Sequence, residues 1–173
     1  MKVAIEIQKA LNEQLNRELY AEYAYLTIAA YCFEQELLGF GRFFLRQAAE
    51  EREHAHKLFH YLLEKGIPFE PLPIEIPHKR FESALACFQA AWEYEKKVTL
   101  SYYNLFKQVR DHGEYELEVF LQWYLSEQRE EENLMQTWTR RLEMAGDNKA
   151  ALLILDREAE EYAQEKSKEE ENE

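Results

Sequence analysis

Residues that interrupt helices are scarce in this chain of 173 residues, which contains only five glycines and four prolines. Their scarcity favours long helices joined by few turns. The sequence also lacks any apolar run approaching 18 residues, so we expect no membrane-spanning helix. The first residues have the pattern of an amphipathic helix rather than of a cleavable apolar leader, so we expect no secretion signal.

Cysteine is equally rare, since Cys32 and Cys87 are the only two and stand far apart. They form no C-x-x-C pair, which excludes a zinc ribbon and a rubredoxin-type iron site. We expect two buried, reduced thiols, the state that suits the cytoplasm, and a single disulfide between them is the alternative.

Positive charge is in deficit, with 21 basic residues against 34 acidic ones and a formal net charge of -13. Such a protein repels nucleic acid and attracts cations, so we expect neither nucleic-acid nor membrane binding. Much of the remainder is apolar, and the chain is long enough for one domain with a core. The acidic residues 164–173 are expected to form a disordered tail.

The prolines cluster in residues 68–77 and divide the chain into two helical halves. We expect a break near 38–41 in the first half and another at 111–113 in the second, which gives four long helices, A to D. Gly66 and Gly146 stand where helix C-caps are expected. A short fifth helix over roughly 148–163 follows, and either Asp147 or Asn148 can cap it.

The connection between helices B and C, residues 67–82, is unusually long. An extended segment of this length reaches on the order of 50 Å, whereas a helix of about 28 residues is about 42 Å long. The connection can therefore travel the length of the bundle. The predicted fold is all-α, a four-helix bundle with one long crossover between helices B and C plus a short fifth helix.

Each long helix has an apolar stripe with steps of three and four residues, and an acid interrupts each stripe towards its middle. The interrupting acids are Glu18 or Glu22 in helix A, Glu51 in B, Glu95 in C and Glu131 in D. The stripes also contain His54 and Gln128. Because neighbouring helices of similar length place their midpoints in one layer, these groups should converge. Periodicity alone leaves the choice between Glu18 and Glu22 open.

Four carboxylates cannot lie unpaired in a core, because each buried charge without a partner costs several kcal/mol. No Lys or Arg occupies the stripes. Two divalent cations carry four positive charges and would balance four carboxylates. Glu51 and His54 are three residues apart and share a helix face, as in the Glu-x-x-His pair of di-iron bundles. Carboxylate and imidazole ligands suit iron without excluding manganese or zinc.

Three sequence motifs resemble those of bacterial and archaeal non-haem ferritins, and the resemblance extends over roughly residues 4–163. They are L-N-x-Q-L-N-R-E at 11–18, E-E-x-x-H at 50–54, and F-L-Q-W-Y-L-S-E-Q-R-E-E-E at 120–132. The resemblance implies one ferritin-like di-iron domain over residues 1–163. It also implies iron storage, in which a ferroxidase centre oxidises Fe(II) with O2 or H2O2 and the ferric mineral collects inside a shell of 24 identical subunits.

The resemblance also assigns roles to individual residues. The first iron position would be held by Glu18, Glu51 and His54, and the second by Glu95 and Glu131, with Glu51 bridging. Gln128 would lie next to both irons, and Tyr25 would hydrogen-bond the site and supply an electron. A third, weaker iron site would use Glu50, Glu127 and Glu130. Haem is not expected, because Arg52 occupies the position at which bacterioferritins carry a haem-binding Met.

Two other functions remain compatible with the same residues. One is a di-iron oxidase or peroxidase that stores no mineral, and the other is a structural bundle without catalysis. Particle mass and iron content distinguish storage from the first alternative, and iron binding distinguishes it from the second.

Overall fold

The computed structural model describes residues 3–77 and 80–170, and this part of the chain forms helices and no strand. The helices are α1 (Ile5–Glu34), α2 (Leu38–Glu64), α3 (Ala84–Asp111), α4 (Tyr115–Ala145) and α5 (Lys149–Glu170). Helix α1 packs along α2 and α3 packs along α4, as short turns require. The prediction of an all-α four-helix bundle with a fifth helix is confirmed. In these residues no helix carries an apolar stretch sufficient to cross a bilayer.

The long connection between α2 and α3 runs beside α1. The Asn12 side chain fixes its start, donating to the Pro68 carbonyl at 3.1 Å and accepting from the Glu70 amide at 2.8 Å. Near the other end, the ring of Phe81 lies 5.5 Å from that of Tyr31, close to the end of α1. Helix α3 therefore begins at the end of the bundle where α2 begins, which confirms the long crossover.

The break expected near 38–41 exists but lies just before these residues, which form the first turn of α2. The turn lies at 35–37 instead, where Glu36 adopts a positive φ of 59°. Gly39 serves packing: a Cβ there would lie 1.7 Å from the carbonyl oxygen of Asp156 in α5. The Asp156 carboxylate accepts from the amides of Gly39 and Phe40 at 3.1 and 2.8 Å, so α5 caps the start of α2.

The other helix-ending signals lie where the sequence places them. Gly66 and Gly146 follow α2 and α4 with positive φ, as expected for C-terminal caps. Asn148 rather than Asp147 caps α5, since its side-chain oxygen accepts from the amides of Ala150 and Ala151 at 3.0 and 3.1 Å.

Helix α5 is longer than expected, since it continues beyond 163 to Glu170. The first part of the expected acidic tail therefore extends the helix, and residues 171–173 lie outside the described part of the chain. An ion pair between Arg42 and Glu160 adds to the contact between α2 and α5.

The apolar core consists of two clusters at opposite ends of the bundle. One contains the aromatic rings of Phe40, Phe43, Phe44, Phe88 and Trp138, and the other contains Leu11, Leu58, Tyr102, Leu117 and Tyr124. Along every long helix one cluster ends before the interrupting acid and the other begins after it. The acids therefore lie at one depth, in a polar layer between the clusters. Cys32 and Cys87 are both buried in the first cluster, each as a free thiol.

Candidate metal centre

Four buried glutamates, one from each long helix, meet in the polar layer. Glu18, Glu51, Glu95 and Glu131 are each at most 4% exposed. Glu18, Glu51 and His54 form one group, in which one ligand atom from each side chain lies within 4.8 Å of the other two. Glu51, Glu95 and Glu131 form a second group by the same distance. Because Glu51 belongs to both groups, the arrangement resembles two adjacent cation sites with one shared carboxylate.

The structure brings Glu18, rather than Glu22, to the other acids. Glu18 is fully buried, whereas the Glu22 side chain is 19% exposed and accepts from the Arg52 guanidinium at 2.8 Å. Residues 18 and 22 are one turn apart on the same stripe, so the rotation of α1 against its neighbours decides which of them enters the core.

Several polar atoms of the centre lack a hydrogen-bond partner within residues 3–77 and 80–170. They are one oxygen of Glu18, one oxygen of Glu51, both oxygens of Glu131 and Nδ1 of His54. The nearest carboxylate oxygens lie 3.5 to 3.8 Å from His54 Nδ1, beyond hydrogen-bond distance. Buried polar atoms without partners are costly, and these converge on a common space. This set of carboxylate oxygens and one imidazole nitrogen could hold metal ions, and these ligand types suit iron.

Both oxygens of Glu95 and one oxygen of Glu18 are held by hydrogen bonds from inside the bundle. Glu95 accepts from the Tyr25 hydroxyl on one oxygen and from the Gln128 amide, at 3.0 Å, on the other. Glu18 accepts from Gln14 at 2.8 Å and from the Tyr102 hydroxyl at 2.6 Å, both on the same oxygen. These bonds orient the carboxylates and leave the second oxygen of Glu18 facing His54.

Sequence reasoning missed Gln14 and Tyr102 as part of the centre. Tyr102 belongs to the apolar stripe of α3, and a buried tyrosine hydroxyl requires a partner, which was a usable signal. Gln14 lies one turn before Glu18 on α1, and its own oxygen accepts from Ser101 at 2.7 Å. A third donor, the Tyr124 hydroxyl, bonds the His54 carbonyl at 2.9 Å and joins α4 to α2 beside the site.

The crowding of acids changes their protonation. Burial, followed by the neighbouring carboxylates, raises the pKa values of Glu51 and Glu131 well above their ordinary range. Burial also raises the pKa of Glu95, although Tyr25 donates to it. Without a cation the centre therefore retains protons that a metal ion must displace.

His54 and Glu18 shift in the opposite sense to the crowded acids. Burial would lower the pKa of His54, but Glu18 and Glu131 raise it to about 9. Burial would raise the pKa of Glu18, but His54 and Tyr102 outweigh that effect and lower it. The metal-free centre thus favours a protonated His54 and an ionised Glu18, whose nearest atoms, Nδ1 and Oε2, are 3.8 Å apart.

Tyr25 lies against the centre as a neutral phenol. The side chain is 1% exposed, and its ring stacks on Phe44 with centroids 5.8 Å apart. Burial, together with the charges of Glu95 and Glu51, raises its pKa well above 10.0. The hydroxyl therefore keeps its proton and shares it with Glu95.

The residues expected to form a third site are only partly brought together. Glu50 is half-buried, and one of its oxygens lies within 4.8 Å of ligand atoms of His54 and Glu131. Glu127 is half-buried, and burial raises its pKa. Glu130 is exposed. Among residues 3–77 and 80–170, neither Glu127 nor Glu130 belongs to a group of three ligand residues, within 4.8 Å of one another, that includes Glu50.

Comparisons with known proteins agree with this architecture. A family model for the ferritin-like domain matches residues 8–145. The chain is 37% identical over 150 residues to a bacterial non-heme ferritin of Staphylococcus aureus, covering 87% of this chain and 90% of the relative. It is also 37% identical over 151 residues to a bacterial non-heme ferritin of Campylobacter jejuni, with the same coverage of each chain.

Solved structures show the same similarity. An open pore ferritin from the archaeon Archaeoglobus fulgidus superposes with a TM-score of 0.90 and is 34% identical in sequence, covering 92% of this chain and 97% of that one. A closed form of the ferritin from the same organism, engineered by mutagenesis, superposes with a TM-score of 0.89 at 34% identity, covering 91% of this chain and 96% of that one. With its fold, its buried acids and these relatives taken together, the chain belongs to the ferritin family.

Proposed function

We propose that this protein oxidises Fe(II) at the buried carboxylate centre and stores the product as a ferric mineral inside a multi-subunit shell. The observation that carries the proposal is the convergence of partnerless carboxylate oxygens and His54 Nδ1 from separate helices, in two groups that share Glu51. Membership of the ferritin family supports iron as the cation.

Each side chain has a distinct part in this proposal. Glu18, His54 and Glu51 bind one Fe(II) ion, and Glu51, Glu95 and Glu131 bind the second. Two Fe(II) ions held together can give two electrons to one molecule of O2 or H2O2 without diffusing apart. The protons displaced from the acids and from His54 leave as the ions bind.

Tyr25 and Gln128 act on the oxidation step in this proposal. Both donate to Glu95, so they fix the orientation of one iron-binding carboxylate. Tyr25 can also supply an electron, because its hydroxyl proton has Glu95 as an acceptor. Glu50, Glu127 and Glu130 form a weaker third site, of which Glu50 lies closest to the paired ions.

The storage part of the proposal requires assembly. We propose a homo-oligomeric shell, of 24 subunits as the family resemblance implies, located in the cytoplasm. The free thiols Cys32 and Cys87 are consistent with that reducing compartment. No role is assigned to haem.

The test of the centre is aerobic Fe(II) titration, with ferric absorbance and particle size measured together. We expect His54→Ala and Glu131→Ala to lose fast oxidation while the particle keeps its size. The matched control is Glu143→Ala, which changes an exposed acid on α4 and should oxidise iron at the wild-type rate. Wild-type rates in both centre variants would refute the assignment.

The test of storage is the amount of iron that each particle retains after repeated additions. A storage protein forms a large hollow particle that holds far more than two irons per chain. A particle that oxidises iron but retains only two per chain would instead indicate an oxidase without storage. Failure to bind iron at all would indicate a structural bundle.

A further inference from the structure

Two histidines that the iron centre does not use lie on the outer face of α2. His56 and His60 are both exposed, and they line the same surface depression of about 420 Å³. The other residues that line this depression are Glu53, Lys57, Tyr61 and Glu64 of α2 and Phe120 of α4. His54, by contrast, is buried and turned into the bundle.

The spacing of these residues is that of a chelating helix face. Side chains four residues apart on a helix have Cβ atoms about 5 to 6 Å apart, so two imidazoles at this spacing can hold one cation between them. Two histidines at positions i and i+4 bind zinc in this way in helical metalloprotease motifs. Glu53 precedes His56 by three residues and Glu64 follows His60 by four, so both carboxylates lie on the same face.

Of the two nearby lysines, Lys57 lines the depression, and each of them contacts a side chain of α4. The Lys57 ammonium lies 3.4 Å from the centroid of the Trp123 ring. Lys65 forms an ion pair with Glu116 of α4. Two acids, Glu53 and Glu64, therefore share the depression with one lysine, Lys57, and this excess of negative charge favours a bound cation.

We propose that His56 and His60 form a second metal site, on the surface of α2, for a first-row divalent cation that prefers imidazole, such as Cu²⁺ or Zn²⁺. Glu53 and Glu64 balance its charge. Two nitrogens in place of the carboxylate-rich set of the buried centre favour these cations over harder ones. The site does not depend on iron oxidation, so it stands or falls separately from the ferroxidase proposal.

The test uses Cu²⁺, one ion per chain, and electron paramagnetic resonance of the assembled protein. The buried centre offers a single imidazole, so copper bound there couples to one histidine nitrogen. Copper at the surface site couples to two nitrogens, which gives a distinct superhyperfine pattern. We expect that pattern in the wild-type protein and its loss in both His56→Gln and His60→Gln. Glutamine keeps the helix propensity of the exposed position.

Affinity provides a second measurement. Titration with Cu²⁺ should show one class of site whose affinity falls about 10-fold or more in each variant. Loss of a side chain that only supports a metal ligand already lowers metal affinity by about 10- to 100-fold, and loss of a ligand itself should lower it at least as much. The matched control is His112→Gln, which removes an exposed histidine with no second histidine one turn away. A two-nitrogen pattern that persists in both variants, or that is absent from the wild-type protein, would overturn the proposal.

Discussion

Glu131 is the acid of the centre with the least compensation, because neither of its oxygens has a hydrogen-bond partner in residues 3–77 and 80–170. It is 4% exposed, and burial, followed by the charges of Glu51 and Glu95, raises its pKa. Glu131→Gln replaces the acid with a neutral amide of nearly the same volume. We therefore expect this variant to stabilise the metal-free protein while it removes an iron ligand.

The size of the effect follows from the cost of crowded charge. Replacing a buried ion pair with uncharged residues of similar volume is neutral or stabilises a protein by about 1 to 4 kcal/mol, and we expect the removal of one crowded acid to fall within that range. For a chain of this length, about 2 kcal/mol corresponds to a rise of about 4 to 8 °C in melting temperature. The amide can also donate to the neighbouring carboxylates, which adds to the gain.

The pH dependence has a definite sign. Because the folded-state pKa of Glu131 lies above its ordinary value of 4.5, the folded protein holds this proton at pH values where the unfolded chain has released it. The contribution to stability is complete below pH 4.5 and is lost as the pH rises towards the folded-state pKa. Glu131→Gln should therefore gain most over the wild type at neutral pH and least in acid.

The assay is calorimetric melting of the metal-free protein from acid to neutral pH, repeated anaerobically with Fe(II). The wild type should gain stability from Fe(II) and the variant should gain much less. Glu143→Gln, an exposed change on the same helix, should leave both curves unaltered. A metal-free Glu131→Gln protein that melts lower than the wild type at neutral pH would refute the reasoning.

Three further predictions concern the centre and its support. Tyr25→Phe keeps the ring that stacks on Phe44 but removes the hydroxyl that donates to Glu95. Stopped-flow absorbance should therefore show unchanged Fe(II) binding and slower oxidation. An unchanged oxidation rate would contradict the proposed role of Tyr25 in the oxidation step. Anaerobic addition of Fe(II) should release protons, which a pH indicator measures. The His54→Ala variant should release fewer protons, because it lacks the imidazole whose pKa is about 9. Equal release from both proteins would show that Fe(II) does not displace a proton from His54. Gly39→Ala should lower the free energy of unfolding by about 1 to 3 kcal/mol, because the added Cβ would overlap the carbonyl of Asp156 in α5. Helix α5 should then become more sensitive to protease. A variant that melts at the wild-type temperature would mean that α5 packs against α2 in a different way.

The apolar stripes predicted most of the core correctly, and one exception is informative. Leu11, Phe44 and Leu121 are buried as the periodicity requires. Trp92 shares the stripe of α3 but stays half-buried: it packs against one core cluster, and the Lys96 ammonium lies 4.6 Å from its ring centroid. A large amphipathic ring can satisfy a stripe position at the margin of a helix interface, and the sequence does not distinguish margin from centre.

The glycines of α2 show a different limit of sequence reasoning. Gly39 and Gly41 have the composition of a turn, yet both lie in the helix. At each position a Cβ would meet another element, Asp156 at Gly39 and the Phe33 ring at Gly41. Glycine is favoured both in turns and where another element packs closely against a helix. The sequence does not distinguish these two reasons for a glycine, and only the residues that surround it in the folded structure do.

The sequence by itself determined the helices, the long crossover and the presence of one acid in the middle of each long stripe, because these depend on local periodicity and on distances along the chain. Periodicity left Glu18 and Glu22 open, the motif resemblance favoured Glu18, and the tertiary structure places Glu18 in the core. Only the tertiary structure revealed that Gln14 and Tyr102 donate to Glu18. An apolar stripe is wide enough to include both glutamates, and a hydrogen bond between helices depends on how each helix is rotated against its neighbour. That rotation follows from packing the whole bundle and has no signature in any single segment.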